Sequence, residues 1–330
     1  MWYFSFMTSH ESDKKVGYDP GSFDVPPIFR STPQPFQMLK WFLFKFMWYQ
    51  SILWIFIAFI CYRYFTPELS NFENLEFAPL LLIWLRNISI MLLIVGGQHW
   101  YLYSKKRQGA DFKYDSRWLA KKRRSFSFND QTKDNMFWSL TSGCGIAALY
   151  EVSMFYLHAN ASIGRVDSVI PTILTTVSLF WLSSIHFYAN HRLLHVKPLY
   201  EVVHSMHHRN VNTGPWSGIS MHPFEHLIYF SLPLLFIVIP ASPFLVTFSL
   251  IYLILAPSPS HSGFHRYRFG KKDIPAADYF HYLHHKYFDC NYGTILFPLD
   301  KWFDTFHDGS EQAHTKIIQQ RMLRGNTNLK

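Results

Sequence analysis

Cysteine is scarce in this chain of 330 residues: only Cys61, Cys144 and Cys290 are present, and they lie far apart. This scarcity excludes a disulfide framework and a thiolate metal motif, so any metal must be held by other side chains. Acidic residues are also few, 22 against 31 basic ones, and the basic excess falls in short clusters beside apolar blocks. That distribution favours membrane topology over a nucleic-acid-binding surface, and we expect no nucleic-acid partner.

Residues 1–36 have no apolar core next to a small-residue cleavage site, and they include charges and a Pro-rich stretch from Pro26 to Pro35. They predict a soluble cytosolic leader and not a signal peptide. The remaining chain divides into membrane helices with a basic loop at 37–182, a histidine-rich domain at 183–307 and a carboxy-terminal tail at 308–330.

Four apolar blocks approach or exceed the roughly 20 residues that a helix needs to cross a bilayer. They are Trp41 to Phe65, Phe77 to Trp100, Met136 to His158 and Ser168 to Ala189. The sequence therefore predicts an all-α, multi-pass transmembrane helix bundle. Arg86 and Glu151 fall inside two of these blocks, where a lone charge is costly. We expect each to face the bundle or a partner; pairing between the two is one option, and snorkelling of Arg86 toward the interface is another.

The loop from Tyr103 to Asn135 is dense in Lys and Arg, so the positive-inside rule places it, and the amino terminus, in the cytosol. A fifth apolar stretch, Leu227 to Ala256, would run about 45 Å as one helix, well over a bilayer core of roughly 30 Å. Pro233, Pro240 and Pro243 interrupt it, leaving two halves that are each expected to be too short to cross. We therefore expect a re-entrant or broken hairpin at 227–256 that returns the chain to the cytosolic side.

Histidine is abundant, and 13 of the 18 histidines lie between His186 and His285. Three tight groups have i, i+3 or i, i+4 spacing, which places imidazoles on one face of a helix: His191 and His195; His204, His207 and His208; His281, His284 and His285. Two looser pairs, also at i, i+4, are His222 with His226 and His261 with His265. If the fifth stretch is a hairpin, all these groups lie on the cytosolic side and can converge.

Ten imidazoles exceed what one metal ion uses, since a structural zinc takes four ligands and a catalytic zinc three. Their number predicts two metal ions with open positions, held by His191, His195, His204, His207, His208, His261, His265, His281, His284 and His285. His222 and Glu225 are expected to orient these ligands or to join them. Imidazole alone does not identify the metal, but oxidation of C–H bonds is the chemistry that suits a membrane-embedded lipid.

The spacing H-x3-H, H-x2-HH and a distant H-x2-HH resembles the sterol desaturase and fatty acid hydroxylase superfamily over roughly Ser183 to Thr305. The HP-x-E element at His222 to Glu225 and the NYG turn at Asn291 to Gly293 are similar as well. The family's following W-D-x-x-F-G-T is altered here at Leu299 to Thr305.

The resemblance implies an oxygen-dependent enzyme of the endoplasmic reticulum membrane with two iron ions, for which zinc can substitute on purification. It also implies an external electron donor such as cytochrome b5 with NAD(P)H, and the chain has no haem or flavin motif of its own. The expected reaction is desaturation or hydroxylation of a lipid. The gap in His191–His195 resembles the sterol branch, so a sterol is favoured, whereas His265 resembles the hydroxylase branch.

Two alternatives stay open. One is a fatty acid, alkylglycerol or carotenoid hydroxylase of the same superfamily, which only a substrate assay separates from a sterol enzyme. The other is a non-catalytic, histidine-rich membrane protein that binds or carries zinc or haem. A transporter should place its ligands at mid-membrane depth, whereas here the histidine groups are expected at helix ends, which favours the enzyme.

Overall fold

The computed structural model describes residues 17–30, 32, 34–275 and 279–327. Most of the expected leader, at 1–16, 31 and 33, and the last residues of the tail, 328–330, lie outside the described residues. The described chain is mainly helical, with one antiparallel pair of strands in which Arg266 pairs with Pro275. The all-α prediction is confirmed.

The helices and strands of the described chain follow one another with few long connections. They are α1 Pro35–Trp41, α2 Ile52–Tyr64, α3 Phe77–His99, α4 Gln131–Trp138, α5 Cys144–Ala159, α6 Val169–Leu194, α7 Lys197–Leu199, α8 Ser205–His208, α9 Pro223–Tyr229, α10 Pro243–Leu255, α11 Pro257–Ser260, β1 Arg266–Phe269, β2 Lys272–Pro275, α12 Tyr279–Tyr287, α13 Leu299–Trp302 and α14 Glu311–Thr327. Wider π-helical turns continue several of them at Phe42–Ser51, Trp100–Ser104, Ser139–Gly143 and Tyr200–His204.

Four continuous helical segments of the described chain are long and apolar enough to cross a membrane: Phe77–Ser104, Gln131–Ala159, Val169–Leu194 and Pro243–Ser260. The second, third and fourth predicted apolar blocks coincide with the first three of these. The first predicted block differs, because its two helical parts, Pro35–Met47 and Ile52–Tyr64, meet at an angle of 56°. A π-helical stretch at the join interrupts the regular hydrogen-bond ladder, which is a recognised cause of a kink.

The fifth apolar stretch forms the predicted hairpin. Its first limb consists of α9 and a 3-10 helix at Leu232–Ile237, and its second limb is α10 with α11. At the tip, the Ala241 amide donates to the Gly164 carbonyl at 3.2 Å, so the tip reaches the loop between α5 and α6. The expectation that each limb is too short to cross is wrong for the second limb, because α11 extends α10 to 18 residues, about 27 Å of helix. Proline at its first turn is compatible with this continuation.

Arg86 of α3 and Glu151 of α5 form a buried ion pair, which confirms the pairing considered from the sequence. The two side chains approach at 2.9 Å between Nη1 and Oε1 and at 2.5 Å between Nη2 and Oε2. The Thr247 hydroxyl of α10 donates to Glu151 Oε1 at 2.7 Å, and Arg86 donates to the Thr66 hydroxyl. This network ties the hairpin to the two neighbouring membrane helices.

Candidate metal centre

Five elements carry the histidines to one place. The last turn of α6 contains His191, and His195 is the carboxy-terminal cap of this helix. A π-helical turn delivers His204, and α8 follows it immediately with His207 and His208. His261 caps the end of α11, where the hairpin returns, and α12 carries the third group.

The converging histidines divide into two sets. Within each set, all the donor nitrogens lie within 4.8 Å of one another. The five-histidine cluster contains His191, His195, His204, His208 and His284. The four-histidine cluster contains His207, His261, His281 and His285.

The two H-x2-HH groups are shared between the clusters. The i, i+4 pair His204 and His208 belongs to the five-histidine cluster, while His207 between them turns toward the other. In α12 the arrangement is reversed, since His281 and His285 join the four-histidine cluster and His284 joins the larger one. Adjacent residues project about 100° apart around a helix, so His207 and His208, like His284 and His285, reach different clusters from one short helix.

The nitrogens in each cluster are spaced as ligands of one ion. The Nε2 atom of His208 lies 3.1 Å from Nε2 of both His195 and His284. In the four-histidine cluster, Nε2 of His261 lies 3.0 Å from that of His285 and 3.1 Å from that of His281. Nitrogens bound about 2.1 Å from a common ion, at bond angles of about 90 to 110°, lie about 3.0 to 3.4 Å apart.

Backbone carbonyls, and for His204 the Glu225 carboxylate, fix which ring nitrogen faces the cluster. Nδ1 of His191 lies 2.6 Å from the Tyr292 carbonyl, and Nδ1 of His284 lies 2.6 Å from the Cys290 carbonyl. Nδ1 of His261 lies 2.8 Å from the carbonyl of Pro257. A carbonyl can only accept, so these Nδ1 atoms carry the proton and the Nε2 lone pairs point into the clusters.

The donor set fits metal ions. Lone pairs of neutral imidazoles converge at hydrogen-bond distance, an arrangement that repels unless a cation lies between them. The Nε2 atoms of His191 and His204 are also buried without a hydrogen-bond partner in the described chain. Buried polar atoms of this kind call for a partner, and a metal ion in each cluster would supply it.

The clusters open onto a cavity of about 440 Å³. His191, His204, His207, His261 and His281 line it. Its other walls come largely from apolar residues of the membrane helices and the hairpin, among them Trp54, Phe180, Phe187, Tyr229, Tyr252 and Leu253. A cavity with this lining suits an apolar ligand.

Comparison with known proteins gives one family match, to the fatty acid hydroxylase model over residues 176–305. All nine clustered histidines fall inside the matched segment. Over this segment the chain is similar to the sterol desaturase and fatty acid hydroxylase superfamily.

Relatives in this superfamily have two kinds of activity in their names. A Delta(7)-sterol 5(6)-desaturase of Candida albicans is 29% identical over 168 residues, which is 50% of this chain and 41% of the relative. Another Delta(7)-sterol 5(6)-desaturase, of Gibberella zeae, is 25% identical over 45% of this chain and 42% of its own. A very-long-chain aldehyde decarbonylase of Arabidopsis thaliana is 26% identical over 41% of this chain and 23% of its own. The chain thus spans less than half of these relatives, and no solved structure matches it.

The HP-x-E element that resembles the superfamily forms the start of α9. His222 caps this helix, accepting from the Phe224 amide at 3.2 Å. Glu225 is buried, and its Oε1 lies 2.8 Å from Nδ1 of His204. Glu225 thus lies beside a clustered imidazole, and His222 caps the helix that carries Glu225; that either residue orients the ligands stays a prediction. His226 lies outside both clusters and contacts the Ile219 carbonyl at 3.0 Å.

His265 is the one predicted ligand that the structure does not bring into either cluster. It lines the same cavity, and its Nδ1 lies 3.1 Å from the Tyr114 hydroxyl. His265 does not share a helical face with His261, although the two are four residues apart. The helix α11 ends at Ser260, and Gly263 has a φ of 77°, in the left-handed region that favours glycine. The role of His265 as a ligand stays a prediction.

Burial keeps the clustered imidazoles neutral. It lowers the pKa of His207 to about 4 and the pKa values of His204 and His261 to about 3. Neutral imidazole is the form that binds metal, so these side chains are ready to coordinate at neutral pH. Burial also raises the pKa of the Glu225 carboxyl to about 8, and a cation on the other side of His204 would favour its ionised form.

Sequence reasoning missed two kinds of functional residue. The carbonyls of Pro257, Cys290 and Tyr292 orient imidazoles, but a backbone carbonyl leaves no residue-type signal. The cavity residue Phe187, whose ring centroid lies 4.9 Å from that of His191, looked like any other aromatic residue of a membrane helix.

Proposed function

We propose that this protein is an oxygen-dependent membrane oxidoreductase that uses two iron ions to desaturate or hydroxylate a lipid, with a sterol as the favoured substrate. The observation that carries the proposal is the direct opening of both histidine clusters onto an apolar cavity between membrane helices. A site that only stored or carried metal has no need of such a cavity.

Nine imidazoles would hold the two ions, and His265 stays a proposed tenth ligand. Bound iron would supply the redox chemistry that removes hydrogen from an unactivated C–H bond. The protein's own part is to orient its ligands, exclude water and hold one substrate carbon near the clusters. Phe187 is placed for the last task, since its ring centroid is also 6.1 Å from that of His281 in the other cluster.

The substrate class rests on the relatives and the cavity together. Sterol desaturases are among the relatives, and the His191–His195 gap resembles that branch. A long-chain acyl or aldehyde substrate is the second candidate, because very-long-chain aldehyde decarbonylases match over a similar share of the chain. Fatty acid, alkylglycerol and carotenoid substrates of the same superfamily belong to this second candidate.

Each double bond or hydroxyl group formed with one O2 requires two electrons and two protons from outside the substrate. We propose that an electron-transfer protein such as cytochrome b5, reduced from NAD(P)H, delivers the electrons at the cytosolic face of the endoplasmic reticulum. The convergence of histidines from both sides of the hairpin supports a common side for all of them. A protease site near Lys122 should then be cut in intact microsomes, and a tag at Lys330, which lies outside the described residues, should be cut too. Protection of the Lys330 tag with cleavage near Lys122 would overturn this orientation.

Reconstitution tests the function directly. Metal-free protein that is reloaded with ferrous iron and supplied with a reductase chain and oxygen should oxidise a sterol. Zinc-loaded protein under the same conditions should not. Lipid profiles of cells with and without the gene should show the same sterol changed, or an acyl chain for the second candidate. Equal turnover with zinc, or one metal per active chain, would overturn the two-iron proposal and favour the zinc-binding alternative.

A further inference from the structure

The turn Cys290–Gly293 supplies the orienting carbonyls for two ligands of the same cluster. The Cys290 carbonyl accepts from His284 of α12, and the Tyr292 carbonyl accepts from His191 of α6, each at 2.6 Å. One turn therefore sets the ring orientation of two imidazoles that come from helices far apart in the sequence.

The Asn291 side chain holds this turn from within. Asn291 is fully buried and has a φ of 53°, a conformation that asparagine tolerates better than most residues. Its amide nitrogen donates to the carbonyls of Phe280 and His307, both at 3.0 Å, and its side-chain oxygen accepts from the His307 amide at 2.7 Å. These bonds join the turn to the start of α12 and to the chain after α13.

Asp300 of α13 holds the other end of the turn. One carboxylate oxygen accepts from the Tyr292 amide and the other from the Gly293 amide, both at 2.8 Å. The Thr305 hydroxyl donates to the same carboxylate at 2.6 Å. Asp300 is fully buried, so these bonds are not exchanged with water.

We propose that Asn291 and Asp300 are positioning residues for the five-histidine cluster, acting through the carbonyls of Cys290 and Tyr292. This inference rests on the proposed function, because it assumes that each cluster holds a metal ion. A shift of either carbonyl would let the imidazole rotate or change tautomer, and an Nε2–H directed at the metal cannot bind it. The proposal also gives a role to the altered segment Leu299 to Thr305: its Asp300 holds the turn, and its Thr305 hydroxyl supports that carboxylate.

The effect should be confined to one cluster. The four-histidine ligands His207 and His261 direct Nδ1 to the carbonyls of Ser220 and Pro257, which lie outside this turn. If Asn291 and Asp300 served only general stability, their loss would weaken both clusters alike. Selective loss is therefore the signature of positioning.

The test is titration of the metal-free full-length protein with cobalt(II), whose absorption reports each site as it fills. Asp300→Asn leaves one acceptor oxygen where two backbone amides need one each. Asn291→Gly keeps the left-handed backbone and removes the side-chain bonds, so it remains informative if the first variant does not fold. In each variant we expect one of the two sites to bind cobalt 10- to 100-fold more weakly, with the other unchanged.

Asp308→Asn is the matched control. Asp308 accepts a backbone amide in the next turn, from Ser310 at 2.9 Å, and its carboxylate makes no bond to Cys290–Gly293 in the described structure. It should bind two cobalt ions like the unchanged protein. In a His284→Ala background, where the five-histidine cluster is already impaired, Asp300→Asn should leave the remaining high-affinity site unaffected.

The outcomes separate the two proposals. An unchanged protein that binds fewer than two cobalt ions would overturn the two-metal proposal and the inference with it. Two cobalt ions in the unchanged protein, with equal weakening of both sites or of neither in the variants, would overturn the inference alone.

Discussion

Nδ1 of His204 lies 2.8 Å from Oε1 of Glu225, and both side chains are sealed from water. A carboxylate behind a ligand imidazole fixes its orientation and makes it a better donor. We therefore expect Glu225→Ala to reduce metal affinity by about 10- to 100-fold, and Glu225→Gln, which keeps a neutral acceptor, to reduce it less. The metal content of each variant, measured at increasing chelator concentrations, reports both affinities. Glu201→Gln, an exposed carboxylate on the same stretch, is the control, and wild-type affinity in Glu225→Ala would contradict the orienting role.

Single histidine substitutions should remove metal from one cluster at a time. His195→Ala and His284→Ala should impair the five-histidine cluster, and His207→Ala should impair the four-histidine cluster, because each loss opens one coordination position. Turnover should be abolished in all three, with the protein still inserted in the membrane. Metal analysis beside the activity assay measures this. His10→Ala, a histidine outside the spaced groups and outside the described residues, should retain full activity.

Removing the Phe187 ring should change the reaction without changing the metal content. Phe187 lies beside both clusters in the cavity wall, so Phe187→Ala enlarges the space around the reacting carbon. We expect two metals per chain, a kcat lowered by about tenfold or more and a broader set of product positions, since misplacement by about 1 Å can cost about 100-fold. Product analysis by mass spectrometry is the measurement. An unaltered product set with unaltered kcat would show that the substrate lies elsewhere.

Acid should release the metals between about pH 6.5 and pH 4. The folded-state pKa of His207 is about 4, below the ordinary histidine value of about 6.5, so the unfolded chain binds more protons than the folded one in this interval. The stabilising contribution of such a group is complete above pH 6.5 and is lost as the pH falls through its folded pKa. The metal retained in the presence of a chelator and the thermal unfolding temperature, followed from pH 8 to pH 4, should decline together. Constant retention down to pH 4 would contradict this linkage.

Loss of the Glu151 charge should destabilise the bundle strongly. Glu151→Gln leaves the Arg86 guanidinium buried beside a neutral partner, and breaking a buried pair from one side costs about 3 to 5 kcal/mol. We expect poor accumulation and a lower unfolding temperature in detergent. The double variant Arg86→Met with Glu151→Gln removes the unpaired charge and should recover part of the loss. A single variant as stable as the unchanged protein would contradict the role of the pair.

Much of this architecture can be predicted from the sequence because its signals are local. Apolar length predicts the helices, and i, i+3 and i, i+4 spacing predicts which imidazoles share a face, as His204 and His208 do. The hairpin follows from the prolines near Pro240. Pairing of Arg86 with Glu151 was foreseeable from the cost of a lone charge, although their separation in the sequence left it as one of two options.

The features that could not be predicted depend on backbone geometry. Gly263 ends the helical relation between His261 and His265, and a spacing rule cannot detect that its φ is positive. The division of His207 from His208 into different clusters depends on how α8 sits against α12, a relation that arises only in the folded molecule. The bend in the first apolar block follows from a π-helical stretch, Phe42–Ser51, whose sequence has no proline or glycine to indicate a kink.

The sharing of ligands across the hairpin has a consequence for how the protein is made. His204 and His208 are synthesised well before His284, and His207 well before His261, yet each group completes a cluster with the other. A nascent chain in which the hairpin has not yet inserted and closed therefore has two incomplete sets of imidazoles, and neither cluster is complete. Both complete sets of imidazoles therefore exist only after the hairpin has closed, and a cell that degraded a metal-free form would in effect be testing that closure.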